Sequence, residues 1–183
     1  MVSAGNSHTC VLVEDGVKCW GNNEYGQTNV PKLNNPKMVS AGGGHTCALD
    51  DEGVKCWGDN VYSQTNVPKL FEPKMVSVGG GNTCAIDKDG VKCWGGKKHG
   101  QLNVPNLNKP QMVSSGAGHI CAIDDNGVKC WGNSENGQSD IPTLNNPKMI
   151  SEGWSHSCAL DENGVKCWGA GKYEDPHEAN ANV

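Results

Sequence analysis

The sequence predicts an all-β repeat fold, on three observations. Five tryptophans, Trp20, Trp57, Trp94, Trp131 and Trp168, stand 37 positions apart. Each directly follows a cysteine whose companion lies nine positions earlier: Cys10/Cys19, Cys47/Cys56, Cys84/Cys93, Cys121/Cys130 and Cys158/Cys167. Between the paired cysteines, two extended runs flank a polar turn that ends in glycine, which is the pattern of a β-hairpin. A fixed period in this range means stacked or radially arranged copies of one supersecondary unit.

The second copy shows how one repeat divides. Lys37-Met38-Val39-Ser40-Ala41 is a short apolar strand and Gly42-Gly43-Gly44 a tight link. His45 to Leu49 is the second strand, Asp50 to Gly53 the turn, and Val54 to Trp57 the third strand. A loop follows over Gly58 to Gln64, then the extended crossover Thr65-Asn66-Val67-Pro68 and the lead-in Lys69 to Pro73. Prolines fall outside the strands of the repeat, where no ladder hydrogen bond is lost. No stretch carries a useful helical period. The expected blades are residues 1–37, 38–74, 75–111, 112–148 and 149–169, one domain over 1–169. Residues 170–183 lack the Gln-x-x-Val-Pro crossover and are rich in Glu, Asn and Ala, so they are expected to form a tail that lies against the first repeat or is disordered.

Register decides the cysteine chemistry. With Leu49 opposite Val54, the loop is Asp50-Asp51-Glu52-Gly53, its last residue in a backbone region that glycine takes without penalty. Cys47 then faces Cys56 on one side of the sheet, whereas a slip of one residue sends them to opposite faces. All five copies keep the spacing, so one hairpin disulfide per repeat is expected. Buried free thiols and zinc sites are the alternatives, but zinc clusters usually place two to four residues between paired cysteines.

Composition fits stapled order. Leu, Ile, Val and Phe make only 31 of 183 residues, below the roughly one-fifth expected of a foldable chain. A net charge of −5 is too small to account for that by disorder. A ten-residue loop closed by a disulfide contributes about 2–3 kcal/mol in the chain-entropy model. Five local cysteine pairs point to an oxidising place, extracellular or periplasmic. Met1-Val2-Ser3-Ala4-Gly5 already belongs to the repeat, so no signal peptide is present, and either a removed leader or another export route is expected. No apolar run is long enough to span a membrane. No Asn-x-Ser/Thr acceptor occurs. All 15 basic residues are lysine, whereas nucleic-acid binders show basic clusters and arginine forks; no nucleic-acid partner is expected.

The repeated string Val-Ser-Ala-Gly-x-x-His-Thr-Cys-Ala-Leu, an acidic-Gly turn, then Val-Lys-Cys-Trp-Gly-x-x-x-x-Gly-Gln covers residues 2–168. It resembles the β-propeller repeat of the regulator of chromosome condensation type. In length, with Gln-Thr-Asn-Val-Pro after the glycine, it is similar to the short repeat of a secreted bacterial propeller that inhibits β-lactamases and has three-stranded blades. The resemblance implies a five-bladed β-propeller of 37-residue, three-stranded blades. Family members usually have seven blades, and the paired cysteines are an addition here. Five blades can close a ring, giving a monomer; an open arc completed by dimerisation is the alternative.

His8, His45, His119 and His156 open the second strand in four copies, with Asn82 in the third. A ring of imidazoles facing a central channel would suit zinc, copper or nickel. The resemblance implies instead a structural residue hydrogen-bonded to backbone at the glycine link, and Asn82 is a poor zinc ligand. No cofactor is expected. The glycine runs at 42–44 and 79–81 lack the helix and the lysine-Ser/Thr pair of a phosphate loop. Ser7-His8 and Ser155-His156 are adjacent, and adjacency in a strand turns side chains to opposite faces. The acids at the hairpin tips, Glu14-Asp15, Asp50-Asp51-Glu52, Asp124-Asp125 and Asp161-Glu162, read as a solvated rim and turn formers, with weak calcium binding as the alternative. No enzyme is expected.

The copies differ five residues past each tryptophan, at Tyr25, Tyr62, His99, Asn136 and Tyr173, in loops with constant flanks. Rigid scaffolds that bind usually vary their loops and place aromatics there. Trp154 replaces a small residue of the link, where other copies have Asn6, Gly43, Gly80 and Ala117. It is either a contact residue or a cover for the ring closure. These six residues are the candidate binding positions. The leading expectation is a secreted scaffold that contacts a protein partner through this loop face. A multivalent lectin would need loops alike in every copy, which they are not. A structural or adhesive extracellular module is the third reading.

Overall fold

The computed structural model describes residues 1–170. Five three-stranded antiparallel sheets form the five blades of a propeller, each ordered inner, middle, outer. The inner strands are Val2–Ala4, Met38–Ala41, Met75–Val78, Met112–Ser115 and Met149–Glu152. The middle strands are His8–Val13, His45–Asp50, Asn82–Asp87, His119–Asp124 and His156–Asp161. The outer strands are Gly16–Gly21, Gly53–Gly58, Gly90–Gly95, Gly127–Gly132 and Gly164–Gly169. Most of the expected tail, with Lys172 and Tyr173, lies outside the described residues.

The expected hairpin register holds: Leu49 faces Val54 and Cys47 faces Cys56. The ladder runs one pair further than expected, to Asp50 opposite Gly53, so the tip is only Asp51-Glu52. Gly53 has φ 124°, which a side chain would resist.

All five hairpins close as the expected disulfides: Cys10–Cys19, Cys47–Cys56, Cys84–Cys93, Cys121–Cys130 and Cys158–Cys167. Their Cα–Cα distances are 4.0–4.1 Å, and no cysteine is free. The two ends of each bridge differ in burial. Cys10, Cys47, Cys84 and Cys121, on middle strands, are fully buried at the joint with the next blade. Their partners Cys19, Cys56, Cys93 and Cys130 lie on outer strands and are half-buried. In blade 5 both Cys158 and Cys167 are half-buried, because no further blade covers that face among the described residues.

The tips are less solvated than their composition implies. Asp50, Asp87, Asp124 and Asp161 are buried. Asp50 accepts hydrogen bonds from the Asn34 N–H of the preceding connector (2.9 Å) and from the Glu52 N–H (2.9 Å), and pairs with Lys55 at 2.9 Å. Burial pushes its carboxyl up, but these donors outweigh it and hold it below the usual range. Each of these four copies thus ties its hairpin to the connector from the previous blade. Val13 stands at this position in blade 1.

Blades join face to face. Cys47 and Leu49 of blade 2 pack on Val76 and Val78 of blade 3, and Cys121 and Ile123 of blade 4 on Ile150 and Ala159 of blade 5. Polar bonds repeat at the same joints. The N–H groups of Ala41, Val78, Ser115 and Glu152 donate to Ser3, Ser40, Ser77 and Ser114 Oγ at 2.9–3.2 Å. The indoles of Trp57, Trp94, Trp131 and Trp168 donate to the carbonyls of Gln27, Gln64, Gln101 and Gln138 at 2.8–2.9 Å.

The histidine bonds its own link through its backbone, as Gly42 N–H donates to the His45 carbonyl at 3.0 Å, while its side chain reaches across to the next blade. His8, His45 and His119 Nε2 meet Thr46, Thr83 and Ser157 hydroxyls at 2.7, 2.8 and 2.9 Å. Where the third copy has Asn82, the next blade carries Ile120 in place of the hydroxyl, and the Asn82 amide is buried without a partner. Among the described residues no group of three metal-ligating side chains converges.

The strand packing that joins neighbouring blades runs from blade 1 to blade 5 and is not repeated between blade 5 and blade 1 among the described residues. The blades therefore form an open arc. Trp20 at the free face of blade 1 is 55% exposed, against 7% for Trp94 inside the arc. Met149 and Val165 are exposed on the free face of blade 5.

Candidate functional face

The links between inner and middle strands and the loops after the outer strands emerge at one end of the arc, because His45 pairs with Gly58 beside the link. One clamp builds each loop. Gln27 is buried; its Oε1 accepts the Tyr25 N–H at 2.9 Å and its Nε2 donates to Asn22 Oδ1 at 2.7 Å. Gln64 does the same for Tyr62 and Asp59, at 2.8 and 2.9 Å. Gln101 accepts from His99 N–H and Gln138 from Asn136 N–H, both at 2.8 Å. Constant glutamines thus hold four different loops in one backbone form.

The clamp sets each variable side chain beside the next blade's link. A methyl group built on Gly44 would sit 3.4 Å from the Tyr25 ring, one on Gly81 would sit 3.2 Å from Tyr62, and one on Gly118 would sit 3.6 Å from His99. Each ring thus lies against the link backbone, and only at Gly81 would the added methyl crowd it. Tyr25 is 54% and Tyr62 61% exposed, while His99 and Asn136 are half-buried. His99 Nδ1 lies 3.2 Å from Asn133 Nδ2. Exposed Glu24, Lys97, Lys98 and Glu135 alternate the charge around the face.

Inside this rim is a central cavity of about 230 Å³, lined by residues from all five blades, Trp154 among them. Trp154 is 70% exposed, so the structure brings it to the same end as the variable loops. Sequence reasoning missed Glu152, which stands where the other blades have Ala4, Ala41, Val78 and Ser115. Both its carboxylate oxygens, like Ser115 Oγ, are shut off from solvent, with only the Ser114 side chain close enough to favour the charged form. Burial pushes the Glu152 carboxyl up to about 8, only partly opposed by Ser114. A charged residue in a column of small ones was the available signal.

Fold and face together define a propeller that presents differing loops on a common frame. The chain belongs to the regulator of chromosome condensation (RCC1) repeat family, whose model matches residues 2–27, 38–64, 113–138 and 150–174. The third repeat, with Asn82, falls outside the matched segments. No curated protein matches in a sequence comparison. Among solved structures, the ectodomain of the Physcomitrella patens receptor kinase CR4 is 25% identical, with a TM-score of 0.78 over 92% of this chain and 49% of that one. The CRINKLY ectodomain of the Arabidopsis thaliana receptor kinase ACR4 is 26% identical, with a TM-score of 0.74 over 92% of this chain and 67% of that one. Prp20p of Saccharomyces cerevisiae, described with its binding to Gsp1p and histones, shares the fold at 19% identity and a TM-score of 0.77 over 92% of this chain and 56% of that one. The chain thus spans about half the length of the CR4 ectodomain and of Prp20p.

Proposed function

We propose that this protein is a non-enzymatic, secreted binding scaffold that engages a protein partner through the face carrying Tyr25, Tyr62, His99, Asn136 and Trp154, with Tyr173 in the fifth copy. The repeat domain is taken as residues 1–169 and the rest as its tail. The observation that carries the reading is the constant glutamine clamp beneath changing side chains. Selection for fold alone has no need to vary exposed residues over a fixed backbone, whereas recognition of an irregular surface does. Five disulfides favour an oxidising, extracellular setting. Two structural relatives are receptor-kinase ectodomains, and Prp20p is described by its binding to other proteins.

The test compares the oxidised protein with a Tyr25→Ala/Tyr62→Ala variant of equal thermal stability. Partner capture by cross-linking that the wild type shows and the variant loses supports the proposal. Binding to a glycan array that simple sugars compete away overturns it in favour of a lectin. Protease resistance without any saturable partner leaves the structural-module reading.

A further inference from the structure

Each joint between blades has two unlike halves, and the arc ends on one of each. Blade 5 carries the half that the other blades press against their followers. Met149, Ser151, His156 and Leu160 are exposed there, whereas His45 and Leu49 are buried at the same positions of blade 2. Blade 1 carries the receiving half. Val2 is 68% exposed where Val39 of blade 2 is 0%, and Ala4 and Trp20 are exposed on the same face. Stacked repeats need polar outer faces where nothing covers them. Apolar surface at both ends therefore marks a contact that one copy leaves incomplete.

The two halves match in detail. The series His8 to Thr46, His45 to Thr83 and His119 to Ser157 continues, by repeat position, with His156 and Thr9. The series of N–H groups on serine hydroxyls continues with Ala4 N–H and Ser151 Oγ. Where an internal joint lacks one partner it lacks both, as at Asn82 and Ile120, while the terminal pair keeps both. Blade 1 also differs at its hairpin tip. Asp50, Asp87, Asp124 and Asp161 each accept an N–H from the connector that arrives from the preceding blade. Val13 stands there in blade 1 and has no side-chain acceptor, so the blade that fits against it comes without a connector tied to this tip. Blade 5 of the same copy does not pack there among the described residues. We infer that two copies of this chain join end to end, blade 5 of one against blade 1 of the other, through the same kind of joint that links the blades within the arc. The joint is heterologous, so the outer ends of a pair can take further copies or close a ring.

The experiment is analytical sedimentation of the full, oxidised protein from micromolar to near-millimolar concentration. The average mass is expected to rise above that of one copy as concentration increases. Val2→Lys puts a charge in the receiving half and Leu160→Lys puts one in the other half. Each is expected to weaken self-association about tenfold or more, because the joint would bury an unpaired ammonium. Both residues are exposed in the single copy, so the fold does not depend on them. A one-to-one mixture of the two variants leaves one unaltered half on each protein. It is expected to form pairs and to stop there, and recovery of pairs also shows that both variants are folded. Tyr25→Ala/Tyr62→Ala is expected to leave association unchanged, so failure of the loop-face reading and failure of the end-to-end joint give different results. The mass of one copy at every concentration would overturn the inference, whether the chain's own blade 5 or its residues 171–183 cover the face. Association that survives in either variant alone, or that the mixture does not restore, would overturn it as well.

Discussion

Replacing Glu152 by valine should make the protein's stability nearly independent of mildly alkaline pH. The folded carboxyl titrates at about 8, against a reference of 4.5. A folded value above the unfolded one means the associated stability is fully present below the unfolded value. It is lost as pH rises through the folded value. Each unit is about 1.4 kcal/mol. Between about pH 5.5 and 9 the shift therefore removes about 3 kcal/mol from the wild type, an upper figure because the stem of Glu152 remains partly exposed. Burial lowers the neighbouring His119 to about 4, so it does not titrate in this window. The difference between wild type and Glu152→Val cancels the other histidines. Urea unfolding followed by tryptophan emission reads it, with an expected loss of roughly 1–3 M in the wild-type midpoint and little in the variant. Alkaline thiol exchange does not intrude, because no cysteine is free. Equal pH dependence in the two proteins would refute the buried carboxylate.

Three further outcomes are expected. Ser63 holds φ 63° where Gly26, Gly100 and Gly137 stand in other loops, so Ser63→Gly should stabilise by about 0.5–1 kcal/mol in the same assay, and a loss would contradict the strain. Thr83→Ile alone should cost about 1–3 kcal/mol by orphaning His45; adding His45→Asn rebuilds the Asn82/Ile120 combination and should recover part of that, and a cycle showing no coupling would remove the pair. Burial pushes the Asp87 carboxyl up, but Lys92 and the Phe71 and Asp89 N–H groups outweigh it and hold it below its reference of 3.8. Its stability is therefore lost as pH falls below that value, and Asp87→Asn should show a shallower fall in thermal midpoint between about pH 4 and 2.

Blade structure was legible in the sequence because it is local. Two cysteines nine apart and a glycine at the turn leave one register, and Cys47 faces Cys56 as that register requires. The same holds for Cys10 and Cys19, Cys84 and Cys93, Cys121 and Cys130, and Cys158 and Cys167. The candidate face was legible as a contrast between constant flanks and changing Tyr25, Tyr62, His99 and Asn136. Its cause, the glutamine clamp, was not, since Gln27 reads as an ordinary loop residue until its burial is seen. The joints between blades were not legible either. Family resemblance assigns His45 to the backbone of its own link; the structure keeps that bond for its carbonyl and gives its ring the Thr83 hydroxyl of the next blade. The joint replacement of histidine and hydroxyl by Asn82 and Ile120 carried that information in one chain. The open arc was beyond the sequence, because it depends on the rotation from blade to blade, and no residue motif encodes an angle.

The bonds between blades have a further consequence for cooperativity. Ser3 reaches Ala41, His45 reaches Thr83 and Ser114 reaches Glu152, each to the adjoining unit and no further. An arc wired in this way is a one-dimensional array, its free energy a sum of unit terms and nearest-neighbour couplings. A closed ring would give every unit two neighbours. Among the described residues blades 1 and 5 have one each, and opening can start at either end and move inward. The most secure unit is then the third, which carries the mismatched Asn82 and Ile120 joint on one side. The joint that lacks the histidine–hydroxyl bond thus borders the most protected unit, and there Ile86, Val113, Ile120 and Trp131 pack together instead.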